Sequence, residues 1–451
     1  MTLTEYLSSL HDKRIAVVGI GVSNKPLLKL LLESGCDVTA CDKSTRDKLG
    51  ETADWLASLG CKLHLGESYL NDTNFDIVFP TPGLHPRFLS AFVERGAVLT
   101  SEMEVFFSLC PCEILAITGS DGKTTTSTVT AELLKRQGYR VWLGGNIGTP
   151  LLDKLPEMLP TDKVVVELSS FQLHSMRCHP QRALITNLAP NHLDVHPDME
   201  DYVNAKKQIF AQQNGDDLLI VNADNPVTEL LRSGGQTRYF SRRKVVDGVY
   251  CQDGMIYRSG KAILNAADIR IPGWHNVENF MAAFALTEGL VSDENCVALA
   301  KAFPGVEHRL EHIRTLHGVD YCNDSIASSP SRTIAGLDAV RQRPILIAGG
   351  YDKHIPFDTL GDVICRKCKA LVLTGDTAEA IRRSVTASPF YEEDKLPIVM
   401  ESDFQAAVLQ ASALAAEGDL VLLSPACASF DRFKNFAERG NAFRQIVKEL
   451  N

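Results

Sequence analysis

Short apolar runs bounded by Gly, Asn, Asp or Ser recur along the chain. RIAVVGIG, DVTACD, DIVFPTPG, EILAITGS, KVVVELSS, RALITNL and DLLIVNADN fall before residue 230, and RPILIAGG, ALVLTG and DLVLLSPA after residue 340. Near-continuous apolar runs of this length read as strands buried on both faces. Between them, PLLKLLLESG and STVTAELLKRQG carry apolar residues at helical spacing. The alternation predicts an α/β protein with largely parallel sheets and helices on both faces. Two interruptions stand out: VLTSEMEVFFSLCPCE near residues 100 to 110, and FPGVEH near 303 to 308, where Pro and Gly break a helix. Three α/β domains are expected, spanning 1–102, 103–306 and 307–451.

Composition narrows the partners. A formal net charge of -10 gives no general attraction to nucleic acid or anionic membranes, so a polyanionic ligand has to be held by a local site. The opening MTLTEYLSSLHDKRIAVVGIG lacks the basic and apolar regions of an export signal, and no apolar stretch is long enough to cross a bilayer. A cytoplasmic protein is expected. Its 12 cysteines follow no framework spacing, which suggests reduced thiols, and the lone CxxC at Cys365 and Cys368 reads as structural.

Two glycine turns follow predicted strands. In the first, Gly19-Ile20-Gly21 is followed by Asn24 where a dinucleotide fingerprint has its third glycine, with Asp42 ending the next strand. A nicotinamide-dependent dehydrogenase is therefore disfavoured, and a mononucleotide such as a UDP group suits the half-motif better. The second turn, GSDGKTT, has Ile117 where the common phosphate loop has its first glycine. What remains is Gly119, Ser120, Asp121, Gly122, Lys123, Thr124 and Thr125 between a strand and a helix. Its amides would face a phosphate, Lys123 would neutralise β and γ oxygens, and Thr124 or Thr125 could reach Mg²⁺. The alternative is a Gly-rich turn with a solvated lysine. Glu167, ending KVVVE, would point a carboxylate from the same rim toward Mg²⁺, or merely cap the next helix. His192 and Asp194 follow another strand and reach that rim, or belong to an ordinary turn. His192 and His196 are spaced i, i+4, but the flanking residues make a zinc helix a poor reading.

The motifs GSDGKTT, GGNIG (144 to 148), ELSSFQL (167 to 173), NHLD (191 to 194), NAKKQIF (204 to 210), GWHNVEN (273 to 279), EHRLE (307 to 311), NDS (323 to 325), GGYDK (349 to 353) and SPACASFDRFKNFAERG (424 to 440) occur in the order seen in Mur ligases, and the resemblance covers nearly the whole chain. It is strongest to the branch that adds D-glutamate to UDP-N-acetylmuramoyl-L-alanine in peptidoglycan synthesis. The folylpolyglutamate branch is disfavoured by the UDP-type first domain, and the lysine- or diaminopimelate-adding branch by the C-terminal block. A non-catalytic or switch-type ATP-binding subunit is the rival of another class. The family uses the shorter glycine spacing, so Ile117 is no defect.

The resemblance implies Rossmann-like first and last domains around a central P-loop-type ATPase domain with a mostly parallel sheet, and ATP, Mg²⁺ (two ions), UDP-N-acetylmuramoyl-L-alanine and D-glutamate as ligands of a monomer. It implies first-metal ligands Glu167 and Thr124, a second-metal ligand His192, and a substrate contact at Asn146. Lys206 matches a lysine that similar ligases carry as a carbamate, with Lys207 as the register alternative. His275, Asn276 and Asn279 resemble adenine contacts, and Arg309 and Asp324 phosphate and ribose contacts. Lys353, Ser429 and Phe436 resemble the D-glutamate pocket. Val22, Ser23, Asp42 and Lys43 lie where the family grips uridine, and Thr81 and Gly83 near the diphosphate. The chain departs from some well-known members at Ile326, where those carry a lysine. Lys353 and Arg332 are the nearest cations by sequence to replace it, and Lys353 is the favoured one.

Overall fold

The computed structural model describes the chain except for residues 22–23, 148–149, 191–195 and 353–354. It divides into two compact units, Met1–Phe303 and Pro304–Asn451. The first unit holds two sheets and the second holds one.

In the first sheet, five parallel strands lie in the order Lys62–Leu65, Asp37–Asp42, Arg14–Val18, Ile77–Pro80 and Val98–Leu99. Arg14–Val18 is central, and the chain order reverses between it and Ile77–Pro80. That is a topological switch point, where the carboxyl ends of open α/β sheets leave a crevice for ligands.

The second sheet has nine strands. From one edge the order is Val141–Gly145, Lys163–Glu167, Glu113–Thr118, Arg182–Ile185, Asn214–Asn222, Gly234–Ser241 and Gly248–Gln252, all parallel. Met255–Arg258 and Lys261–Asn265 then add two antiparallel strands. The strand Glu113–Thr118 lies between Lys163–Glu167 and Arg182–Ile185, which places the segments after these three strands side by side at one rim.

The segment between the two strand series is the helix Glu102–Leu109, capped by Ser101 through a bond from the Glu104 amide (3.1 Å). Its Met103, Val105 and Phe106 lie in one apolar cluster with Ile15, Val17 and Phe79 of the first sheet and Ile114, Val164 and Val166 of the second. A shared core of this kind explains why both sheets belong to one compact unit.

In the second unit the order is Glu311–Leu316, Val319–Asn323, Leu420–Leu423, Ile345–Ala348, Ala370–Leu373 and Ile398–Met400. All neighbours are parallel except the first pair, an antiparallel hairpin. Two apolar clusters flank the sheet, one holding Leu346, Leu371 and Leu422, the other Ile347, Val372 and Val421. This is the period-2 alternation of strands buried on both faces.

Candidate active site

The GSDG turn joins the buried strand Glu113–Thr118 to the helix Lys123–Arg136. Gly119 and Gly122 have φ of +149° and +76°, a region L side chains rarely adopt. A Cβ on Gly119 would lie 1.8 Å from Thr186 Oγ1, and one on Gly122 would lie 2.2 Å from Asn279 Oδ1. Both glycines are thus demanded by conformation and by neighbours. The amides of Ser120 and Asp121 donate to the carbonyl and the side chain of Asn187 (2.9 and 3.0 Å), while Ser120 Oγ bonds Ala189 and Tyr202. This corrects one expectation: two of the loop's amides serve to hold the loop, leaving the helix start at Lys123 to supply the amides of a first turn. Its N-cap residue is Gly122, which has no side chain to cap that start. Lys123 Nζ donates to the carbonyls of Gly119 and Ser120, both at 2.9 Å, so the ammonium is folded over its own loop. Thr124 is half-buried and Thr125 is buried in the same first turn.

Around this loop the structure gathers several predicted residues. Glu167 ends its strand with 1% of its surface exposed. Its Oε1 accepts from Asn146 Nδ2 (2.9 Å), and its buried Oε2 has no hydrogen-bond partner among the described residues. Lys206 lies on the helix Met199–Lys207 and is also 1% exposed. Its Nζ donates to Thr118 Oγ1 (3.1 Å) and to the Gly119 carbonyl (2.9 Å), and lies 4.9 Å from the centre of the Tyr202 ring. Burial, followed by the charge of Lys123, pushes its pKa well below the ordinary lysine value. Lys207 instead bonds Asn204 at the surface (3.2 Å). Asn279 accepts from Thr126 Oγ1 (3.3 Å) and donates to Asn276 (3.4 Å), which ties the start of the helix Trp274–Leu286 to the loop helix. His275 is exposed at the same helix start. His192 lies outside the described residues.

At the rim of the first sheet, Asp42 accepts from the Ile20 amide (2.6 Å) and the Ser44 amide (2.7 Å) and so braces the glycine turn. Lys43 is exposed beside it. Thr81 follows the adjoining strand, its amide bonded to Val18 (2.6 Å), with Gly83 exposed two residues on. Thr81 and Gly83 thus flank the switch-point crevice. Val22 and Ser23 lie outside the described residues.

In the second unit, Asp324 follows its strand with 4% exposure. Its carboxylate accepts from Ser424 Oγ (2.8 Å) and the Leu310 amide (3.3 Å). Burial raises its pKa to about 7, against the pull of those bonds and of Arg309 and Arg332. Arg309 is exposed, and Arg332 Nη1 donates to the Ile326 carbonyl (3.3 Å). Ser429 is buried, its carbonyl accepting from the Arg432 and Phe433 amides, and Phe436 opens the helix Phe436–Glu449 half-exposed. Lys353 lies outside the described residues.

Sequence reasoning missed three supports. Asn187 and Tyr202 clamp the phosphate-loop turn, and only the position of Asn187 just past a strand hinted at it. The third is Arg439, whose buried guanidinium binds Ser325 Oγ (3.0 Å) and the carbonyls of Ser325, Cys427 and Ala428 (2.9 to 3.0 Å). Burial lowers its pKa to about 10.

Residues 117–287 match the Mur ligase middle domain, and residues 308–427 the Mur ligase glutamate ligase domain. The chain is 50% identical to a UDP-N-acetylmuramoylalanine--D-glutamate ligase of Acetivibrio thermocellus, over 99% of each chain. It is 48% identical to one so named from Clostridium novyi, over 100% of this chain and 99% of the relative. Among solved structures it resembles MurF of Acinetobacter baumannii (TM-score 0.57, 16% identity, 99% and 98% of the two chains). It also resembles a type C pseudomurein peptide ligase of Methanothermus fervidus (TM-score 0.56, 17% identity, 98% and 100%).

Proposed function

The chain belongs to the Mur ligase family, and we propose that it joins D-glutamate to UDP-N-acetylmuramoyl-L-alanine at the expense of ATP, in the cytoplasmic stage of peptidoglycan synthesis. The carboxylate of the UDP-linked substrate attacks the γ-phosphorus of ATP, ADP leaves, and an acyl phosphate forms. The amine of D-glutamate then attacks the acyl carbon, phosphate leaves, and the amide is complete. Attacking carboxylate and triphosphate are both anionic, so the protein's task is positioning and charge neutralisation.

The carrying observation is the meeting of Lys123, Glu167 and Lys206 at one strand rim, with Glu167 Oε2 buried and unpartnered among the described residues. A buried carboxylate oxygen without a donor fits a hard cation. Glu167, Thr124, His192 and Lys206 are the residues that would hold magnesium, which when bound offsets the repulsion between carboxylate and phosphate. Lys123, folded over its own loop through the Gly119 and Ser120 carbonyls, is assigned to the β and γ oxygens. Lys206, with its depressed pKa, favours the neutral amine, the form that adds carbon dioxide; a nitrogen–carbon bond forms, a proton leaves, and the product is a carbamate. That anion would place a negative charge beside the Lys123 ammonium.

Asp42, Lys43, Thr81 and Gly83, with Val22 and Ser23, are assigned to the UDP end, and Asn146 to the substrate near the reacting carboxylate. Asn276 and Asn279 are assigned to adenine, Arg309 and Asp324 to the nucleotide, and Lys353, Ser429 and Phe436 to D-glutamate. The same reading divides the chain into domains 1–102, 103–306 and 307–451 and has it act as a monomer. Phosphate release with a panel of amino acids tests it: release must require both UDP-N-acetylmuramoyl-L-alanine and D-glutamate. Release with ATP alone would instead mark a switch-type ATPase.

A further inference from the structure

Three histidines surround Asp201 within the first unit, and the tautomers of their neutral rings follow from their partners. The Arg87 amide, which can only donate, bonds His85 Nδ1 (3.2 Å), so neutral His85 carries its proton on Nε2. Asp201, whose pKa stays below the ordinary value because the bonds from His196 and His174 outweigh its burial, is an acceptor. It receives His174 Nε2 (3.0 Å) and His196 Nδ1 (2.6 Å), which places protons on both of those nitrogens. His196 Nε2 is then the acceptor for Ser170 Oγ (3.0 Å). In the neutral rings two nitrogens are left over: His85 Nε2, a donor, and His174 Nδ1, a lone pair. Both are buried and unpartnered among the described residues, and the two rings lie 4.6 Å apart, centre to centre. They line a small cavity with Gly83, Leu84 and Phe171. One wall is therefore the rim assigned to the diphosphate, and the other the short helix just past Glu167.

We propose that this cavity is a hydroxyl-binding subsite in which His85 Nε2–H donates to, and His174 Nδ1 accepts from, one sugar hydroxyl of the UDP-linked substrate. A hydroxyl is the group that satisfies a donor and an acceptor placed together, since it has one proton to give and lone pairs to receive. The cavity lies between the segment that carries Gly83, assigned to the diphosphate, and the residues that follow Glu167, assigned to the reacting end, and the sugar is the part of the substrate that joins those two ends. His85, His174 and Asp201 also have the makings of a metal cluster. The tautomers oppose that use: the Arg87 bond holds the proton on the His85 nitrogen that a metal would need bare. Asp201 acts behind His174, fixing its ring and tautomer, and His196, stacked on Phe171 at 5.6 Å, fixes Asp201 in turn. His85 and His174 are positioning and specificity residues, with no part in the phosphoryl step.

The inference rests on the ligase reading and is tested by calorimetric binding of UDP-N-acetylmuramoyl-L-alanine and its 4-deoxy and 6-deoxy sugar analogues. The proteins are wild type, His85→Leu and His85→Gln, which keeps a donor. Leaving two buried groups unpaired should weaken one deoxy analogue about tenfold in wild type. That penalty should vanish in His85→Leu and return at least in part in His85→Gln. Equal penalties in wild type and His85→Leu, or none in any protein, would show that the two nitrogens serve a water or nothing, and would overturn the subsite. So would one equivalent of Zn²⁺ bound by wild type, lost in His85→Leu, with no deoxy effect. Failure of the parent substrate to bind wild type at all would sink the ligase reading as well as the subsite.

Discussion

Lys206 and Lys207 are adjacent in a helix, identical in type, and opposite in environment. Lys206 is buried against Thr118 and Gly119, whereas Lys207 bonds Asn204 at the surface. Nothing in AKKQ says which lysine turns inward; that depends on how the helix packs against a strand end some 90 residues away in sequence. Lys206→Ala should abolish ligation and Lys207→Ala leave it within a few-fold, with added short carboxylates restoring part of the Lys206→Ala activity. A dead Lys207→Ala beside an active Lys206→Ala would reverse the assignment. Asp324 makes a prediction with a definite sign. Its pKa is raised from 3.8 to about 7, so the folded protein binds a proton there that the unfolded chain releases. Stability from this group is full below pH 4 and is lost as pH rises to 7, by on the order of 4 kcal/mol. Glu102, also raised to about 7 by burial, adds a slope of the same sign. Asp324→Asn should therefore flatten, without abolishing, the fall in unfolding midpoint between pH 4 and 7; an unchanged slope would contradict the burial argument. For D-glutamate, Lys353→Ala should raise its KM far more than that for ATP. Arg332, tied to the Ile326 carbonyl, should change both little when replaced by Ala. The reverse pattern in steady-state kinetics would move the cation to Arg332.

Among elements, the strands with continuous apolar runs were legible, because burial on both faces leaves an unmistakable signature: EILAIT, VVVE and LVLL lie where the pattern puts them. The strands from Gly248 to Asn265 were passed over, since GVYCQ, MIYR and KAILN are short and half-polar. Their turns did carry a signal. Asp253-Gly254 and Ser259-Gly260 have positive φ at both positions (50° and 78°, 50° and 76°), the backbone of tight hairpins. The phosphate loop was legible as glycines but not as a clamp, because Asn187 and Asn279 reach it from distant segments. Gly122→Ala adds a methyl 2.2 Å from Asn279 Oδ1 at a φ of +76°. It should cost about 1–3 kcal/mol in thermal unfolding and lower activity sharply. A variant with wild-type melting and turnover would show that the loop tolerates a side chain there.

At the scale of the molecule, the α/β class followed from the alternation of runs and helices, while the strand orders did not, since register and neighbour are decided by long-range packing. The helix Glu102–Leu109, which in sequence looked like a separator, unites two sheets through Met103, Val105 and Phe106. The common rim of the phosphate loop and Glu167 was legible because both follow buried strands, whereas the contacts that Asn187, Tyr202 and Lys206 make to the loop were not, since they depend on packing between distant segments. The account's central claim, activation of a carboxylate as an acyl phosphate for amide formation with D-glutamate, has a direct isotopic test. UDP-N-acetylmuramoyl-L-alanine labelled with ¹⁸O in its terminal carboxylate is turned over with ATP and D-glutamate, and the released phosphate is analysed by mass spectrometry. One labelled oxygen in inorganic phosphate, with the other retained in the amide, is the predicted result. Label in AMP, or unlabelled phosphate alongside amide product, would contradict it.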